Sequence, residues 1–149
     1  MAMADENSPV FVARGMNAFA SMFLDKDKLA VACKGDGGWG WAEHHACLFK
    51  GTEWFFHPGY RAYLPSDWLP ALDGVDAKLR AGATVADVGC GHGASVMVMA
   101  RAYPQSRMSG VDFHPPSIET AKARAIEAGV AERTTSRWPT PTDMTASTV

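Results

Sequence analysis

The chain has little cysteine, no excess of positive charge and no long apolar run. Its three cysteines, Cys33, Cys47 and Cys90, include no CxxC pair, which argues against a disulfide framework or a structural zinc site and for reduced thiols in a cytoplasmic protein. Lys and Arg are spread along a chain of formal net charge −2, so neither a nucleic-acid footprint nor a polybasic membrane patch is expected. No stretch approaches the roughly 18 apolar residues that span a bilayer. The first eight residues are polar and acidic, unlike a signal peptide. What is present is hydrophobic content of 47% over 149 residues, enough for one domain core.

Apolar residues Val12, Met16, Phe19, Ala20 and Phe23 recur at helical spacing and predict a helix over 9–32 with one buried stripe. Gly35-Asp36-Gly37-Gly38 reads as a flexible connection, and 42–49 as a short helix. Residues 53–72 are rich in aromatics (Trp54, Phe55, Phe56, Tyr60, Tyr63, Trp68), with punctuation at Pro58-Gly59, and read as a helical layer packed on the core. A helix over 73–80 stops at Gly82. The β-forming run Thr84–Val88 then predicts a buried strand.

A turn over 89–93, an apolar helix over 94–103 and a second strand over 107–112 follow. Pro115-Pro116-Ser117 opens a further helix, with Ser117 as its N-cap and Gly129 as its stop. Strand, helix, strand, helix is the order of a parallel, doubly wound α/β sheet. Met97, Met99 and Met108 read as core filler.

Asp87-Val88-Gly89-Cys90-Gly91-His92-Gly93 sets three glycines at alternate positions between a strand and a helix. Such a turn needs positive φ or close backbone approach, and exposed amides at the helix start would attract an anionic group. Asp112 ends the second strand, where an acidic side chain accepts hydrogen bonds from ribose hydroxyls. The series D-x-G-x-G-x-G differs from the dinucleotide pattern, although Ala94 completes a G-x-G-x-x-A reading from Gly89. A nicotinamide- or flavin-dependent oxidoreductase therefore stays open.

Glu43, His44, His45 and Cys47 invite a metal reading. Adjacent histidines on a helix diverge by about 100°, so a helix-end polar cluster is preferred and no metal is expected. His44 or His45 would also have suitable acidity for a general base.

The segments VADVGCGHGAS and GVDFHPPSIETAKARA resemble motif I and the following motif of class I S-adenosylmethionine-dependent methyltransferases. Residues 9–133 are similar to a bacterial, largely actinobacterial group in which a winged-helix-like dimerisation domain precedes the catalytic domain. The resemblance implies a Rossmann-like α/β fold with S-adenosyl-L-methionine as cofactor. Asp87, Gly89, Cys90, Gly91, His92 and Gly93 would then line the pocket at the methionine end, Asp112 would hold the ribose, and Phe113 would pack on the adenine. Tyr60 and Arg61 would close over the cofactor.

The resemblance further implies methyl transfer to a small-molecule acceptor and a homodimer in full-length members. It divides the chain into a helical, aromatic-rich segment (1–80), the first half of the cofactor-binding domain (81–133) and an atypical tail (134–149). Only two strands of the family's sheet are expected, so the chain reads as truncated at both ends. A reading-frame shift near residue 133, or disorder, would account for the Thr-, Ser- and Pro-rich tail. A non-catalytic cofactor-binding remnant is the alternative to an active enzyme.

Overall fold

The computed structural model describes residues 3–35 and 38–139, and the chain forms two compact units, Met1–Gly59 and Tyr60–Val149. Asp36 and Gly37 of the expected flexible connection lie outside the described residues.

The described part of the first unit is helical. Instead of one helix over 9–32 there is a 3-10 turn at Ala13–Met16, then α1 (Asn17–Leu24) and α2 (Lys26–Ala32). The break falls at Asp25, which is buried and whose Oδ2 accepts the His45 amide at 2.8 Å. This contact joins residues twenty apart, and a continuous helix does not make it. The expected buried stripe is largely open: Met16, Phe19 and Phe23 are exposed, while Gly15 and Ser21 face inward. A second 3-10 turn, Trp41–Glu43, precedes α3 (Ala46–Tyr63). Where α1 meets α3, Gly51 sits so close that a Cβ there would overlap the Ala18 backbone. Pro58 lies inside α3 rather than ending it, and the helix continues without the one bond a proline cannot donate.

In the second unit a π-helical turn, Leu64–Trp68, and α4 (Val75–Ala81) lead into β1 (Thr84–Val88), α5 (Ala94–Ala102), β2 (Arg107–Val111), α6 (Pro115–Glu127) and β3 (Thr134–Arg137). The three strands are parallel in the order β1-β2-β3. The sequence reading counted two. β3 escaped it because Thr-Thr-Ser-Arg carries no apolar alternation, yet Thr134 and Ser136 face inward and are buried. β1 is correctly bounded but is not the buried strand expected: it lies at the sheet edge, and Val88 is 70% exposed.

Val96 and Ala100 of α5, Tyr103 just after it, Met108 of β2 and Ile118 and Ala125 of α6 fill the space between helices and sheet. Met97, Met99 and Met108 are buried. Tyr103 Oη donates to Asp76 at 2.9 Å, and Ser106 Oγ donates to the Leu79 carbonyl at 2.6 Å while accepting the Ala83 amide at 2.9 Å. These bonds moor the segment ahead of β1 to the loop ahead of β2. Arg133 Nη1 reaches the Ala100 carbonyl at 2.8 Å, near the C-terminal end of α5 where a cation is favoured. No described helix is long and apolar enough to cross a membrane.

Candidate functional site at the C-terminal edge of the sheet

The turn between β1 and α5 is built on three left-handed residues: Gly89 at φ 81°, Gly91 at 52° and Gly93 at 78°. A side chain at any of them would be strained whatever the space around it. Beyond conformation the three differ. Cβ atoms on Gly89 and Gly91 would meet nothing within 4 Å, so the turn leaves open space above its backbone. On Gly93 a Cβ would lie 3.1 Å from Ala121 Cβ, where α5 starts against α6.

Most of the turn's amides are spent inside the protein. Gly89 and Cys90 both donate to the Val111 carbonyl, at 2.7 and 3.1 Å, and Gly93 donates to the Cys90 carbonyl at 2.8 Å. Gly91 donates to Asp112 Oδ2 at 2.8 Å. These four amides shape the turn ahead of the start of α5.

Asp112 is held from both sides, because its Oδ1 accepts the His114 amide at 2.8 Å. A carboxylate has about four acceptor positions, so two such bonds aim it without exhausting it. Asp87, at the end of β1, accepts a short hydrogen bond from Ser95 Oγ in the first turn of α5. Cys90 lies beneath the turn, where burial, then the Asp87 and Asp112 charges, push its thiol up to about 12. It also sets the size of its neighbour: a Cβ on Gly110 would come 2.7 Å from Cys90 Sγ.

His92 lies half-buried within the turn, and Phe113 stands 56% exposed just beyond Asp112. Tyr60 packs edge-on against Trp68, with ring centroids 6.1 Å apart. Burial raises its phenol's pKa, and the Asp87 charge raises it further. Arg61 is exposed on α3.

Sequence reading missed Trp138. It follows β3 directly and meets Phe113 edge-on at 5.9 Å, leaving two half-exposed rings side by side at the strand ends. Nothing flagged it while β3 went unrecognised. The start of α6 also differs: His114 occupies the N-cap, Pro115 opens the helix, and Ser117 sits in its first turn bonded to His114 Nδ1 at 2.7 Å. Proline's fixed φ starts the helix earlier than a serine cap would.

The residues weighed as metal ligands have other partners. Glu43 Oε2 accepts the Gly40 amide at 2.6 Å, His44 Nδ1 lies 3.7 Å from Asp25, and His45 Nδ1 accepts the Cys47 amide at 3.2 Å. No metal-holding group of His, Cys, Asp or Glu occurs among the described residues.

Residues 85–145 match the profile described as a methyltransferase domain. Over these residues the chain is similar to methyltransferase domains. The match runs through the tail to residue 145. Within the stretch expected to be an atypical tail, Thr134–Arg137 form β3, and residues 140–149 lie outside the described residues.

A tRNA (guanine-N(7)-)-methyltransferase of Shewanella halifaxensis (strain HAW-EB4) is 38% identical over 65 residues, 43% of this chain and 27% of that protein. A trans-aconitate 2-methyltransferase of Afipia carboxidovorans is 33% identical over 57 residues, 38% of this chain and 22% of that one. The chain thus spans about a quarter of the length of the curated relatives it matches. Among solved structures, an O-methyltransferase family protein from Burkholderia thailandensis shares the fold, with a TM-score of 0.55 at 13% identity, over 88% of this chain and 39% of that one. Relatives named for tRNA remove the exclusion of nucleic acid that was drawn from charge alone.

Proposed function

We propose that the methyltransferase's glycine turn and Asp112 form the S-adenosylmethionine pocket, and that the protein transfers the cofactor's methyl group to a small-molecule acceptor. The observation that carries this reading is the Asp112–Gly91 hydrogen bond: one carboxylate shapes a turn whose Gly89 and Gly91 have open space above them. The bound cofactor supplies an electrophilic methyl on a sulfonium sulfur. The chain's own residues hold and aim it, since in-line transfer depends mainly on positioning.

In this reading Asp112 accepts the ribose hydroxyls, and Phe113, with Trp138 against it edge-on, flanks the adenine. Gly89, Cys90, Gly91, His92 and Gly93 enclose the methionine end, where Asp87 is aimed by Ser95. Tyr60 closes the same end, and Arg61 stands beside it on α3. The Cys90 thiol, held protonated, is a wall and not a nucleophile.

Calorimetry of the chain with S-adenosylhomocysteine, and separately with NAD, tests this reading. Heat from S-adenosylhomocysteine alone is expected. Binding of NAD instead would overturn it.

A homodimer belongs to the same reading for the full-length protein. Phe19, Phe23 and Leu24 are exposed on α1 by 55, 78 and 58%, apolar surface that soluble monomers rarely leave contiguous. Phe23→Glu is expected to shift the species seen in sedimentation from dimer to monomer. A monomeric starting protein would contradict it.

A further inference from the structure

The chain leaves Asp112 and enters α6 through two prolines, Pro115 and Pro116, neither of which has an N–H. The side chain of a helix cap commonly accepts the amide of the second or third helical residue. Here the second residue has no amide to give. The third, Ser117, gives its amide to the His114 carbonyl at 3.0 Å, and the same carbonyl takes the Ile118 amide at 3.2 Å. The His114 ring therefore makes no cap bond to the start of α6.

The ring is engaged elsewhere. His114 Nδ1 lies 2.7 Å from Ser117 Oγ, and both side chains are buried. The His114 amide donates to Asp112 Oδ1 at 2.8 Å. One residue is thus fastened to the first turn of α6 through its carbonyl and its ring, and to the acid through its amide. Gly91 holds the other oxygen of the same carboxylate. Bonds to a charged acceptor are the stronger kind, and this one depends on where the backbone of residue 114 is held.

We propose that His114 and Ser117 are positioning residues for ribose recognition. Ser117 pins the His114 ring to α6, and the residue so fixed holds the Asp112 carboxylate in the orientation that takes the ribose hydroxyls. The proposal rests on the reading of Asp112 as the ribose acid, and both residues act through it. A carboxylate without these bonds samples several rotamers, of which only some meet the sugar, and a misplaced group loses much of its effect. What the pair confers is a preference for ribose over deoxyribose in the cofactor's nucleoside.

The test compares S-adenosylhomocysteine with its 2′-deoxy analogue, each titrated calorimetrically into the full chain. Wild-type protein is expected to bind S-adenosylhomocysteine at least about tenfold more tightly, the worth of one hydrogen bond to a charged group. Ser117→Ala removes the hydroxyl and keeps the His114 amide. It is expected to cut the preference to about threefold or less, mainly by weakening S-adenosylhomocysteine. His114→Asn removes the pinned ring, should act the same way, and decides the matter if Ser117→Ala does not fold. A role confined to folding would weaken both ligands together, so an unchanged ratio in the variants overturns the proposal alone. Wild-type protein that binds the two ligands alike, or neither, overturns the ribose reading of Asp112 itself, and the proposal falls with it.

Discussion

Asp112 Oδ2 accepts the backbone amide of Gly91 at 2.8 Å, across 21 residues of sequence. The bond ties the end of β2 to the crest of the turn after β1, so the acid is part of the site's construction as well as a candidate ligand for ribose. Asp112→Ala leaves the Gly91 and His114 amides to water. It should cost about 1–3 kcal/mol of stability in urea unfolding and weaken S-adenosylhomocysteine at least about tenfold, since about 1.4 kcal/mol is a factor of ten. Unchanged affinity with lowered stability would leave Asp112 a purely structural residue.

Alanine substitutions in the turn should separate strain from crowding. Gly91→Ala meets open space but keeps φ at 52°, so it carries only the left-handed penalty of about 1–2 kcal/mol. Gly93→Ala adds a 3.1 Å approach to Ala121 and should cost more. Trimming the neighbour with Ala121→Gly should recover the excess in Gly93→Ala, and leave Gly91→Ala unaffected. Chemical denaturation of the single and double variants measures this.

Acid should weaken the second unit through His114. Burial lowers its pKa, opposed by the Asp112 charge and reinforced by His92. The unfolded chain therefore takes up a proton near the ordinary value of 6.5 while the folded chain still resists. Stability contributed by the neutral ring is full above 6.5 and declines as pH falls towards the depressed folded value. Urea midpoints followed downward from pH 7.5 should show this decline, and His114→Asn should flatten it. An unaltered pH slope in the variant would assign the effect elsewhere.

Thiol reactivity gives a direct reading of burial at the turn. Cys33 is exposed, whereas Cys90 is buried with its thiol pushed up to about 12. Iodoacetamide at pH 8 should label Cys33 in the native protein and spare Cys90 until denaturant is added. Peptide mass spectrometry distinguishes the two. Early labelling of Cys90 would mean that the turn opens readily.

Legibility in the sequence followed the locality of the cause. Thr84–Val88, the three glycines and Asp112 were readable because β-propensity, positive φ and strand-end acidity are local properties of these residues. The break at Asp25 was not, because the His45 amide that Asp25 holds arrives from the loop ahead of α3, twenty residues on. β3 and Trp138 were hidden by composition. Thr134 is buried with its hydroxyl donating to the Val130 carbonyl at 3.1 Å, so a polar residue does the work expected of an apolar one. Exposure of Val88 was also beyond local reading, since it depends on β1 lying at the edge of the sheet.

The cofactor site is tested most directly by titrating S-adenosylhomocysteine into the ¹⁵N-labelled chain and mapping which amides move. The account predicts saturable shifts at Gly89, Gly91, Gly93, Asp112 and Phe113 and at the Trp138 indole. Shifts confined to the first unit, or no shift with this ligand alongside saturable shifts with NAD, would contradict it.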